Sequence, residues 1–154
     1  MTQEDQIRAI VKRLRLLWGA MLLSVAVFAT VVWILLRRGG IGRPLNPTML
    51  ATLGMIVALA LLLAPIVRRQ IDRAPRGAGA DEIARRWQTA WVIGQALKEA
   101  VGIAGLVIGL LAGSSAWALG FAIASLGSMV MTPPWEHELR VRIHRGTGSD
   151  ATAL

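Results

Sequence analysis

The chain has 154 residues and no cysteine, is 55% hydrophobic and carries a net charge of +8. The missing cysteines exclude disulfides, thiol catalysis and cysteine-held metals or clusters. The charges gather at the N-terminus, around 68–86 and near the C-terminus, with long apolar runs between them, a pattern of membrane-spanning helices rather than of a soluble core with a separate catalytic domain.

Residues 2–15 come first. Thr2 and Asp5 have the spacing of a capping box. Ile7, Ile10, Val11 and Leu14 recur at helical spacing, with Arg8, Lys12 and Arg15 on the other side. This predicts an amphipathic lead-in, continuous with a first span near 16–36. That span is too long for a signal core and ends without a small-residue cleavage site. Its bulky side chains suit a peripheral, lipid-facing position.

Residues 37–43 predict a turn. Asn46 is placed to cap a second helix, and Pro47 suits its first position. The second span follows near 48–67. A polar loop, 68–86, contains Ala74-Pro75 and Gly77-Ala78-Gly79, which mark a flexible connection. Asp81 and Glu82 suit the start of a third helix. Trp87 and Trp91 suit a membrane interface, where an indole can keep its N–H wet.

The third span, near 89–112, is the most informative. It spaces Gly94, Gly102, Gly105, Gly109 and Gly113 along an apolar run, and small residues so placed let helix backbones approach closely. It also carries Lys98 and Glu99, and charges within a span usually face a bundle interior. Gly113-Ser114-Ser115 predicts a tight turn. The fourth span, near 116–132, repeats Ala116, Gly120, Ala124 and Ser128 every four residues, a stripe expected to face the glycines of the third span. Pro133-Pro134 ends it, and Trp135 suits the interface. In the tail, 133–154, Leu139, Val141 and Ile143 alternate with Arg140, Arg142 and His144, which predicts a strand; residues 146–154 read as disordered.

The expected fold is therefore an all-α integral membrane bundle of four transmembrane helices in one domain. Most basic residues lie on the N-terminus, the 68–86 loop and the tail, so both termini and that loop are expected in the cytoplasm of a bacterial inner membrane. Basic residues flanking apolar spans point to the bilayer and its anionic head groups as partners, not to nucleic acid.

Glu99 is the one carboxylate inside an apolar span, and Gln95, one turn earlier, is placed to hydrogen-bond it. Lys98 is long enough to snorkel towards the cytoplasm. Two readings are open: a polar staple that fixes helix register, or a titratable group in a proton or ion path. Glu136, His137, Glu138 and His144 lack the spacing of a metal site. Gly77 and Gly79 lack the context of a phosphate loop, and no nucleophile–base set stands out. No metal, cofactor or enzyme activity is expected.

The run Ala96-Leu97-Lys98-Glu99-Ala100, with Gly102, Gly105 and Leu106, resembles the carboxylate-bearing helix of the proteolipid (c-ring) subunits of rotary ATPases. That resemblance implies an ion-carrying role for Glu99 alone. The chain departs from that family at Lys98, in its long 68–86 loop, in its tail, and in a first span without regular small residues. The same pattern is similar to one in small four-helix bacterial membrane proteins of unassigned activity. The expected function is non-enzymatic: a membrane protein acting through helix packing, as a homo-oligomer or an accessory subunit of a membrane complex. The alternative is a proton- or ion-conducting subunit using Glu99.

Overall fold

The computed structural model describes residues 3–39, 46–73 and 78–146. They form α1 (Gln3–Arg37), α2 (Pro47–Asp72), α3 (Ala80–Leu111), α4 (Ser115–Val130) and α5 (Glu136–Gly146), with no strand among the described residues. Thr2 of the expected capping box, positions 40–45 and 74–77 of the two connections, and 147–154 of the tail lie outside the described residues.

Three helices, α1, α2 and α3, are long and apolar enough to cross a membrane; α4 is apolar but only 16 residues long. Burial ranks them. Half of the most apolar stretch of α3 is buried, against 11% for α1 and 17% for α2. So α3 is the centre, with α1, α2, α4 and α5 all packed on it. Large side chains such as Leu23, Phe28, Met55, Leu59 and Leu62 stay exposed on α1 and α2.

The amphipathic lead-in runs unbroken into the rest of α1. Asn46 caps α2 by accepting the Thr48 N–H at 3.0 Å, and Pro47 takes the first turn, where a missing N–H costs nothing. The α3–α4 turn is a Schellman closure. Gly113 has φ 65°, the Ser114 N–H reaches the Gly109 carbonyl at 2.9 Å, and the Gly113 N–H reaches that of Leu110 at 3.2 Å. A side chain at position 113 would strain that left-handed backbone.

Glycine sets the α3–α4 distance. A β-carbon on Gly109 would lie 2.5 Å from the Ala118 backbone nitrogen, and one on Gly105 would lie 2.1 Å from the Phe121 β-carbon. One on Gly102 would lie 2.7 Å from the Ser125 hydroxyl.

The tail departs from the strand expectation: 136–146 is helix α5. Leu139 and Ile143 are four apart, both buried, whereas Val141 is only half-buried. Arg140 bonds Glu136 at 2.7 Å, and Arg142 bonds Glu138 at 3.0 Å, both at i,i+4. Acidic residues open the helix and basic ones close it, as the macrodipole favours. The alternation was real, but helical pairing and a core to bury against decide the conformation.

That core joins distant parts of the chain. Ile7, Val11 and Leu14 of α1, Ile83, Ala84, Trp87 and Trp91 of α3, and Leu139 and Ile143 of α5 form one buried cluster. Arg140 also reaches Glu4 at 2.9 Å, Arg68 reaches Glu138 at 2.9 Å, and Arg142 pairs with Asp72. The start of α1, the end of α2, the start of α3 and all of α5 therefore share one end of the bundle.

Candidate functional site

An α-helix ends with four carbonyls that have no partner within the helix. At the end of α4 these groups meet side chains from α1 and α3. Lys98 donates from Nζ to the Ser128 carbonyl at 2.9 Å and to Thr132 Oγ1 at 2.5 Å. Gln95 Nε2 donates to the Thr132 carbonyl and to Thr132 Oγ1, each at 2.9 Å. Trp91 Nε1 reaches the Thr132 carbonyl at 3.3 Å, and Trp18 Nε1 reaches that of Met129 at 3.1 Å.

The Thr132 hydroxyl is saturated. Its two acceptor positions take Lys98 and Gln95, and it donates to the Ser128 carbonyl at 3.1 Å. Ser125 ties the other end of the contact by donating to the Lys98 carbonyl at 2.7 Å. The Lys98 ammonium sits at the negative end of the α4 dipole, where a cation stabilises by about 0.3–1 kcal/mol at exposed sites and up to ~2 kcal/mol when partly buried. Chemically this is a cap: donors and one cation closing a helix C-terminus.

The residues singled out from sequence divide. Gln95 and Lys98 are buried and belong to this cap. Lys98 does not extend away from the bundle, and Gln95 turns to Thr132 rather than to Glu99. Gln95 Oε1 has no partner among the described residues; rotating the amide would set that oxygen against the Thr132 carbonyl, which fixes the orientation. Glu99 is half-buried and makes no hydrogen bond or ion pair among the described residues.

Gly102, Gly105 and Gly109 face α4, and Gly113 makes the turn. Gly94 faces α2 instead: the Arg68 stem crosses it, 3.4 Å from where a β-carbon would be, on its way to Glu138. On α4 the contacting residues are Ala118, Phe121, Ala122 and Ser125. Ala116, Gly120 and Ala124 lie on the outer side, exposed, and Ser128 is half-buried beside the cap. The four-residue repeat was legible, but it does not contain the face that meets α3. Trp87 and Trp91 are also placed differently from the interface expectation: both are fully buried, and Trp87 Nε1 has no partner among the described residues.

Thr132, Ser125 and Trp18 were not singled out from sequence. Thr132 carried a usable signal, since Pro133-Pro134 forces α4 to stop there and leaves carbonyls in need of donors. The chain matches no protein-family model, no curated protein and no solved structure.

Proposed function

We propose that this chain is a non-enzymatic, four-span membrane protein that works by assembly, with itself or as an accessory subunit of a membrane complex. The spans are α1 to α4. The positive-inside rule sets the end that carries α5 and both termini in the cytoplasm of a bacterial inner membrane. Trp135, exposed, marks the cytoplasmic interface, and Trp33, with Arg37 stacked 4.1 Å from its ring centre, marks the other.

One observation carries the assembly reading: the polar groups buried between α3 and α4 are spent on closing α4. At 1.5 Å per residue, 16 residues reach only about 24 Å, short of a hydrocarbon core of ~30 Å. The last carbonyls of α4 would then end inside the apolar layer, where each unpaired group costs several kcal/mol. Lys98, Gln95, Trp91 and Trp18 supply the donors there. Lys98 is thereby a structural cation, and the polar groups form a closed set rather than a continuous path.

The competing reading, Glu99 as an ion carrier, draws on its half-buried position with no partner among the described residues. Two experiments decide. Native-gel sizing from gently solubilised membranes should find the 16.6 kDa chain in a larger complex; a lone monomer would overturn the assembly reading. Proton-flux assays of Glu99→Gln should find wild-type behaviour, and carbodiimide labelling of wild-type Glu99 across a pH series should show no rise in acid. Loss of flux at normal expression would establish the ion-path reading instead.

A further inference from the structure

A groove of about 260 Å³ runs between the start of α1 and the start of α3. Its walls are positions 6, 9, 10 and 13 of α1 and 81, 84, 85 and 88 of α3. Both sets have the i, i+3, i+4, i+7 spacing of one helix face, and both helices start at the α5 end. Two parallel walls of that kind leave a slot for a third helix. The floor is apolar, with Ile7, Ala84 and Ile143 buried and Ile10 half-buried. Arg13 and Arg85 stand exposed on the rim, and neither makes an ion pair among the described residues. Asp81 lines the opposite end.

We propose that this groove docks an amphipathic helix of a different protein, with its apolar stripe on the floor and acidic residues against Arg13 and Arg85. The proposal rests on the assembly reading and names its partner surface. Charge selects the occupant. Copies of this chain related by an axis along the membrane normal sit at equal depth. At the level of Arg13 and Arg85 a second copy would bring Lys12, Arg13, Arg15 and Arg85, like against like. A lipid is a poor fit for a geometric reason. Arg13 is the membrane-proximal end of the groove, and the floor extends from it away from the bilayer. A head group held at Arg13 would send its chains into the bilayer and leave the apolar floor uncovered.

The test uses the full chain in nanodiscs of zwitterionic lipid. The probe is a stapled helix of about 14 residues, since unstapled helices of that length are marginal. It carries a leucine stripe flanked by glutamates; a control carries lysines in their place. The glutamate helix should bind about tenfold tighter than the lysine helix. Arg13→Glu with Arg85→Glu should invert that preference, and Arg38→Glu, exposed just past the far end of α1, should leave it unchanged. Equal affinities, or a preference that survives the double swap, would overturn the proposal. So would displacement of the glutamate helix when anionic lipid is added to the nanodisc, which would assign the groove to lipid. Native-gel sizing separates the two levels of argument. A wild-type monomer defeats the assembly reading itself. A complex that persists in the double swap defeats only the groove.

Discussion

Lys98 and Thr132 meet across the α3–α4 contact, ammonium to hydroxyl at 2.5 Å, and the same ammonium holds the Ser128 carbonyl at 2.9 Å. The contact joins the one lysine of the central helix to the end of its neighbour. Lys98→Met keeps the length and removes the donor, leaving a carbonyl and a hydroxyl short of a partner. The expected loss is about 1–3 kcal/mol, measured by reversible unfolding in detergent. Thr132→Val should be at least as costly, because it leaves the cation with one acceptor fewer. If both variants unfolded like the wild type, the cap would not be holding α4.

Two glycines on facing helices should behave in opposite ways. A β-carbon on Gly109 meets the Ala118 backbone at 2.5 Å, and backbone cannot swing aside. Gly109→Ala should therefore cost about 1–3 kcal/mol through overpacking, or splay the hairpin. Gly120 has nothing within 4 Å of such a carbon. Gly120→Ala should be neutral or stabilising by up to ~1 kcal/mol, from helix propensity. Equal effects at the two sites would refute the assigned α4 face.

α5 offers a direct test of helix against strand. On a strand Leu139, Val141 and Ile143 would be equivalent. On the helix Leu139 is fully buried and Val141 half-buried. Leu139→Ala should cost about 2–5 kcal/mol, and Val141→Ala about 1 kcal/mol or less. Thermal unfolding of the two variants side by side reads the difference. Comparable losses would return the tail to the alternating pattern.

Sequence made the apolar helices, the Asn46 cap, the Gly113 turn and the central place of α3 legible, because each follows from local chemistry or from a run of small residues. The site was only half legible. Lys98 and Gln95 stood out as polar groups in an apolar stretch, but their acceptors lie some thirty to forty residues on. Spacing along one helix cannot tell which neighbour a side chain turns to, so Gln95 read as a partner of Glu99. The α4 face failed for a related reason. Ala116, Gly120 and Ala124 form a regular small-residue row, yet the glycines of α3 already supply the room, so α4 can meet them with Phe121 and Ser125. In the tail, a period of two and a period of four share Leu139 and Ile143, and only the cluster around Ile7 and Ile83 decides between them.

The ion pairs that secure α5 should make its docking depend on pH. Glu136 accepts hydrogen bonds from Arg140, and this contact, with the nearby positive charge, holds its carboxyl below the ordinary carboxylate range. A carboxylate whose pKa is depressed by folding stabilises the folded form above its unfolded pKa, here about 4.3. That contribution is lost as pH falls through the lower, folded value. α5 should therefore stay docked from neutral pH down to about 4.3 and loosen only below it. Because the chain has no cysteine, a spin label on Arg145→Cys can report mobility at a single site. The label should be immobile near neutrality and gain mobility in acid. Adding Arg140→Gln should leave the label more mobile already at neutral pH and weaken its response to acid, since Glu136 then lacks the partner whose contact protonation would break. Mobility that ignores acid, or rises with increasing pH, would show that the Glu136–Arg140 pair does not hold the helix.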